Sequence, residues 1–367
     1  MNEACEARPD QPSRATDVFR SGLTRGVLTI GIFVAVLLVC GEVVRRRLPF
    51  PPVPAVQPKV EWLRAHGDAY DTFFIGSSRT YRHIIPELFD ELMAAGGQPT
   101  RSFNLGFDGM RPPEDSFVLE TVLAPRTQPL KYVLVEGNAL RVNLDADSRG
   151  TMRASYWHDL RRCGVIARAT LGMTSADETT WFGIWSDRIS SIGTFLEHLP
   201  PALARATNLG RGLEWLPDAL LAEPPETLSS ANLGARFDGY HEGDKLREMR
   251  PGDLKKLRKG VADRLKKPAQ PYFSDAESQR VLREKGRVTA AHGGRMIFFH
   301  PPLTQPEIYY PDPRFNPGLP IIDLSDPGKF PILFDPQFRK DDAHLNPAGA
   351  KIFTRLLVER LLARAAR

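Results

Sequence analysis

Short apolar runs separated by longer amphipathic stretches set the rhythm of this chain. Thr72 to Ile75 is apolar and is stopped by Gly76, which predicts a buried strand. Pro86 to Ala95 follows as a helix with Leu88, Phe89 and Leu92 on one face. Ser102 to Leu105 reads as a second strand, Ser116 to Leu123 as a helix, and Lys131 to Val135 as a third strand ending in Glu136, Gly137 and Asn138. Strands alternating with helices in this way predict right-handed βαβ units and a parallel sheet. The pattern returns late in the chain. A helix over Ala276 to Ala291 leads into the apolar run Arg295 to Phe299, closed by His300, Pro301 and Pro302. A further strand over Leu319 to Leu324 precedes an amphipathic helix over Asn346 to Ala365, which carries Ile352, Phe353, Leu356, Leu357 and Leu361.

Between Asp145 and Pro271 the strand pattern lapses. Ile189 to Ala206 and Leu246 to Leu265 are the best helices there, and the segment reads as a helical insertion in one α/β domain, a second domain being the alternative. Near the N-terminus, Gly26 to Val44 is apolar with no charge before Glu42. Nineteen helical residues span about 28 Å, close to the ~30 Å hydrocarbon core of a bilayer. A retained transmembrane anchor fits better than a removable signal peptide, since no small-x-small cleavage site follows. Val39 is a poor residue to precede a lipidated Cys40, and the polar tail and Pro-rich stretch on either side argue against a buried core helix.

The expected partition is a disordered tail at 1–25, the anchor at 26–44, a Pro-rich linker at 45–66, a first domain part at 67–144, a mainly helical insertion at 145–290 and a second part at 291–367. Pro49, Pro51, Pro52, Pro54 and Pro58 make the linker a semi-extended spacer. Arg14, Arg20 and Arg25 on one side of the anchor balance Arg45, Arg46 and Arg47 on the other, so charge alone does not orient it.

Composition narrows the function classes. The 367 residues are 42% apolar and 25% charged, as in ordinary globular proteins. A net charge of +5, without zinc spacings or RNP-like aromatics, gives no nucleic-acid signal. Cys5, Cys40 and Cys163 lie too far apart in sequence for a disulfide framework or a cysteine metal site. No cofactor site is evident.

Candidate chemistry gathers where parallel sheets place it, at the carboxyl ends of strands. Ser78 follows the first strand, Gly109 the second and Asn138 the third, while Asp341 and His344 precede the last helix. Four blocks occur in order: Gly76-Ser77-Ser78, Asn104-Leu105-Gly106-Phe107-Asp108-Gly109, Gly137-Asn138 and Asp341-Asp342-Ala343-His344. Together they resemble the SGNH (GDSL-like) hydrolase family over roughly residues 70–143 and 293–365. The resemblance implies a flavodoxin-like three-layer fold and a serine esterase or acyltransferase. It also implies Ser78 as nucleophile, His344 as base, Asp341 as its orienting acid, and an oxyanion hole from the Ser78 and Gly109 N–H groups and the Asn138 amide. Each such donor is typically worth about 2.7–4 kcal/mol in the transition state. Ser77 stands where the family's commonest form has Asp, and Ala139 where Asp often follows the Asn. The Gly-Ser-Ser form resembles the membrane-anchored branch that works with polysaccharide O-acetylation and teichoic-acid D-alanylation machinery. That branch implies an extracytoplasmic (periplasmic) body, an acylated cell-surface carbohydrate as substrate and an integral-membrane acyltransferase as partner.

Other readings of the same residues stay open at this stage. Ser77 is the rival nucleophile, and Ser78 could serve as a helix N-cap. Gly109 and Asn138 could be turn residues, and Asp341 and Asp342 could simply start the last helix. Arg79, Arg82 and His83 read as a solvated helix face or as contacts for an anionic substrate. Glu136 reads as a structural neighbour of Asn138, and His300 as a cleft or structural residue. Lys255, Lys256, Arg258, Lys259, Arg264, Lys266 and Lys267 read as one basic helix face, solvated or binding anionic headgroups. Trp157, Trp181 and Trp185 read as core or lid packing, or as sugar-stacking residues. Esterase, O-acyltransferase and non-catalytic envelope scaffold are the three functions to separate.

Overall fold

In the computed structural model, residues 14–54, 56–172, 181–208, 211, 233–242, 249–273 and 275–365 are described. Their order is α1 (Arg14–Arg47), α2 (Gln57–His66), β1 (Thr72–Ile75), α3 (Ser78–His83), α4 (Pro86–Ala95), β2 (Ser102–Asn104), α5 (Glu114–Leu123) and β3 (Tyr132–Glu136). Then come α6 (Met152–Ser155), α7 (Leu160–Leu171), α8 (Trp181–Leu196), α9 (Leu199–Thr207), α10 (Pro251–Lys266) and β4 (Gln270–Tyr272). The chain closes with α11 (Ala276–Ala291), β5 (Arg295–His300), β6 (Glu307–Tyr309), β7 (Ile321–Asp323) and α12 (Pro347–Ala365).

Five strands form one parallel sheet in the order β2-β1-β3-β5-β7. Both faces are covered, as an all-parallel sheet requires. Alternation along each strand divides the core. Phe73, Ile75, Val133, Val135 and Phe298 pack with α2 and α5 on one face. Phe74, Leu134, Ile297 and Phe299 pack with α4 and α12 on the other. The order reverses at β1, with β2 on one side and β3 on the other, so a crevice opens beyond their carboxyl ends. That reversal fixes where reactive groups can meet.

The alternating strands and helices predicted from the sequence are present, with bounds differing by one or two residues. Several expectations need correction. The helix expected from Gly26 begins at Arg14, so residues 14–25 are helical rather than a disordered tail; residues 1–13 lie outside the described residues. The linker is not a solvated spacer. Leu48, Phe50, Val53 and Val56 are buried, and α2 adds Val60 and Leu63 to the core. Apolar side chains between the prolines drive that burial. The single helix expected over Ile189 to Ala206 is broken between Leu196 and Leu199. Pro200 and Pro201 lack N–H groups and fit only the first turn of a new helix. A second parallel pair, β4 with β6, has no counterpart in the sequence reading. Helix α11, assigned to the insertion, packs Leu282 against the sheet core and belongs with the body.

One helix, over Thr24–Arg47, is long and apolar enough to cross a membrane, and its apolar side chains are largely exposed. The basic face expected of α10 loses one member: Arg264 is buried and donates to the carbonyls of Leu303, Gln305 and Ser325. Trp157 is in the core, stacked on His158. The side chains of Trp181 and Trp185 lie outside the described residues.

Candidate active site

Ser78 opens α3, and its Oγ lies 2.8 Å from His344 Nε2. The His344 Nδ1 lies 3.0 Å from each carboxylate oxygen of Asp341. Three side chains that the sequence separates by 266 and 3 positions therefore form one chain of hydrogen bonds. The Asp341 carboxylate is also held from behind, by the N–H groups of Ala343 at 2.8 Å and His344 at 2.7 Å. Burial opposes its ionisation, but the His344 ring and these N–H groups outweigh it and bring the carboxyl down to about 2. Asp341 is thus an anion throughout the neutral range.

Ser77 is committed elsewhere. It is the N-cap of α3, its N–H and Oγ donate to the Glu136 carboxylate at 2.7 and 2.8 Å, and it is buried. Glu136 also accepts from Thr80 Oγ1 at 2.7 Å and from Arg79 Nε at 3.0 Å. Burial disfavours that charge, yet Arg79 and the hydroxyl and amide donors hold its titration below the ordinary carboxylate range. This network fixes the strand-to-helix turn so that Ser78, rather than Ser77, faces His344.

The neighbouring strand ends carry the other predicted residues. Ile75 and Val135 are register partners, so Ser78 and Asn138 each leave their strand three residues further on. The Asn138 Nδ2 is buried and finds no acceptor among the described residues, as a donor kept for a substrate oxygen would. Gly109 sits in a turn closed by Met110 N–H on Phe107 O, with φ of +69°, a conformation glycine adopts without strain.

Residues not foreseen from the sequence hold these pieces in place. Lys59 is fully buried, and its ammonium donates to the carbonyls of Asn104 (2.9 Å), Gly106 (2.7 Å) and Gly239 (2.8 Å). It also lies 4.0 Å from the centre of the Tyr81 ring. Arg153, from the insertion, donates to Asp108 O at 2.7 Å beside Gly109 and pairs with Glu114 at 3.1 Å. Arg339 is buried below the His344 loop and donates to the carbonyls of Leu333, Asp341 and Asp342. Nothing local in the sequence links these cations to their acceptors, because every contact except Arg339's joins segments far apart in the chain.

Arg79, Arg82 and His83 are not the solvated face expected of them. Arg82 pairs with Asp108, and His83 is buried, with its Nε2 accepting from Leu345 N–H at 3.0 Å. Burial and the nearby His344, Arg339 and Arg79 charges push the His83 ring well below its ordinary value, which keeps it a neutral acceptor. His300 is structural. Its ring is buried and meets Tyr309 O at 2.7 Å.

A small cleft of about 40 Å³ runs from Gly109 past Arg111 and Arg141 to Arg153, Trp157 and His198. The insertion lines one side of this cleft, which meets the candidate site at Gly109 and is not lined by Ser78, Asn138 or His344. Among the described residues no group of three or more His, Cys, Asp or Glu is placed to hold a metal. Compared with protein-family models, curated proteins and solved structures, the chain matches none.

Proposed function

We propose that the chain is a membrane-anchored serine ester hydrolase of the SGNH type, acting on O-acyl esters, chiefly acetyl, of cell-surface carbohydrate. The observation that carries this reading is the Ser78–His344–Asp341 alignment, with 2.8 Å and 3.0 Å contacts in sequence. In the proposed reaction His344 Nε2 takes the Ser78 proton as Oγ attacks the ester carbonyl. Asp341 orients the ring and stabilises the imidazolium, and its low titration keeps it charged for that task. The N–H groups of Ser78 and Gly109 and the free Asn138 amide receive the oxyanion. The proton then passes from His344 to the departing sugar oxygen, and water resolves the acyl-enzyme by the reverse relay.

Helix α1 is proposed to cross the bilayer, with the body on the periplasmic side. A second reading, O-acyl transfer to a polysaccharide, uses the same acyl-enzyme with a sugar hydroxyl replacing water. The anchor favours it by keeping the body beside any integral-membrane acyl donor.

The test is active-site labelling of the full chain in detergent by a fluorophosphonate. Labelling of the native chain and none of Ser78→Ala is expected. A folded native chain that does not label removes both readings and leaves an envelope scaffold. Acetate release from an aryl ester without acceptor selects hydrolysis, whereas transfer to an oligosaccharide that outruns it selects the transferase.

A further inference from the structure

A trans peptide is planar, so its C=O and N–H point in opposite directions. On the way to Gly109 the chain is gripped by both ends of such peptides. Asn104 O accepts from Lys59 Nζ at 2.9 Å, while the Leu105 N–H of the same peptide donates to Phe74 O at 2.7 Å. Gly106 O accepts from Lys59 Nζ at 2.7 Å, while the Phe107 N–H donates to Gly76 O at 3.2 Å. The Asp108–Gly109 peptide is held differently. Its carbonyl accepts from Arg153 Nη2 at 2.7 Å, and its N–H has no acceptor among the described residues. Within those residues Arg153 is also the sole donor to Asp108 O.

Turn geometry makes this peptide the variable one. Met110 N–H on Phe107 O closes a four-residue turn in which Gly109 is the third residue. Gly109 has φ of +69°, and Asp108 is not among the non-glycine residues with positive φ. Those signs belong to a type II turn. The commoner type I form keeps the closing bond and differs mainly by rotating the central peptide through about half a turn. In that form the Gly109 N–H would point where Asp108 O now points. Glycine accepts either sign of φ, so residue 109 does not make the choice. Arg153 does, because its guanidinium rewards only the form that brings Asp108 O to it.

Arg153 is seated for that task. It lies on α6 of the insertion, and its Nε and Nη2 meet the Glu114 carboxylate at 3.1 and 3.2 Å. Tyr156 Oη donates to the same carboxylate at 2.8 Å, and Glu114 and Tyr156 are buried. The Asp108 side chain pairs with Arg82 of α3, the helix that Ser78 opens, so the turn is tied to the nucleophile's own helix.

We propose that Arg153 is a positioning residue for the oxyanion hole, holding Asp108 O so that the Gly109 N–H is presented to the oxyanion. A cation on the carbonyl also polarises the amide and strengthens its N–H as a donor. The helical insertion thereby takes part in the chemistry. This role rests on the serine-hydrolase reading given above.

The experiment follows p-nitrophenyl acetate hydrolysis by the full chain in detergent, and its inhibition by phenylboronic acid. The boronate forms a tetrahedral adduct on a serine and so reports on the oxyanion donors. The variant is Arg153→Met/Glu114→Gln, since Arg153→Met alone would strand a buried carboxylate. The expected result is a kcat about 10²-fold lower, a KM within about twofold of native, and a boronate affinity reduced by about the same factor as kcat. Should the double variant fail to fold, Arg153→Lys carries the comparison. Its ammonium can serve Glu114 or Asp108 O but lacks the fork that spans both, and a loss of about tenfold is expected. A folded variant with native kcat overturns the proposal. So does a raised KM with kcat kept, which would make Arg153 a substrate contact. A lower kcat without matching loss of boronate affinity overturns it too, since the defect would then lie outside the oxyanion hole. A native chain that neither hydrolyses the ester nor binds the boronate removes the serine-hydrolase reading, and this role with it.

Discussion

The arginines around Ser78 and Arg205 at the foot of α1 are held by different partners. Arg79, Arg82 and Arg153 each face a carboxylate, and the Arg339 guanidinium faces three carbonyls. Their donors hold the protein's own turns in place. At the foot of α1, Arg45 and Arg162 likewise pair with carboxylates, Glu42 and Glu120, whereas Arg205 rests on a carbonyl and an aromatic ring. Identical side chains are therefore matched by a carboxylate where one is in reach and by a carbonyl and a ring at Arg205. What separates them is whether a buried acceptor is already in reach.

The largest effect belongs to the reactive centre itself. His344→Ala should lower ester turnover by at least about 10³-fold in a protein that still folds, since among the described residues no other base is hydrogen-bonded to Ser78 Oγ. Asp341→Asn should cost less, because the backbone N–H groups still seat the loop. Equal losses in steady-state turnover would count against the division of labour between them.

Next comes the cement. Arg339→Met leaves the carbonyls of Leu333, Asp341 and Asp342 without their buried donor, at a cost of about 3 kcal/mol in stability. Turnover at a temperature where the variant remains folded should also fall, since the His344 loop loses its support. Denaturant unfolding together with labelling rates measures both. A variant as stable as the native chain would mean that the arginines near Ser78 are not matched in the sense argued above.

Asp341 offers a smaller, pH-resolved check. Its folded titration near 2 lies below the ordinary carboxylate value, so its contribution to stability is fully present above pH 4. That contribution disappears as pH falls through 2. At about 1.4 kcal/mol per unit it amounts to at most about 2.5 kcal/mol. Asp341→Asn should flatten the acid limb of the stability profile in that window and leave the profile above it parallel to the native one.

The two regions also differ in how far the sequence disclosed them. Ser78, Gly109 and Asn138 stood out in the sequence because each follows an apolar run stopped by a turn, and Asp341 and His344 because they precede the last amphipathic helix. The sheet was legible for the same reason. Lys59, Arg153 and Arg339 were not, since their acceptors are mostly backbone carbonyls, which carry no sequence signal. The Pro-rich segment misled because proline content points to solvation, whereas Phe50, Val53 and Val56 between the prolines settle in the core. The foot of α1 needed the fold as well: Arg45, Arg64, Arg162, Arg205 and Arg211 come from five separate segments.

The smallest expected effect is the most discriminating. Arg205→Gln removes the bond to Tyr156 O, worth about 1 kcal/mol. Relief of repulsion from Arg45 and Arg162 opposes that loss, so stability in lipid-free detergent should change by no more than about 0.5 kcal/mol. If Arg205→Gln instead destabilises the lipid-free protein as much as Arg339→Met does, Arg205 is cement too. The contrast between the two regions would then disappear.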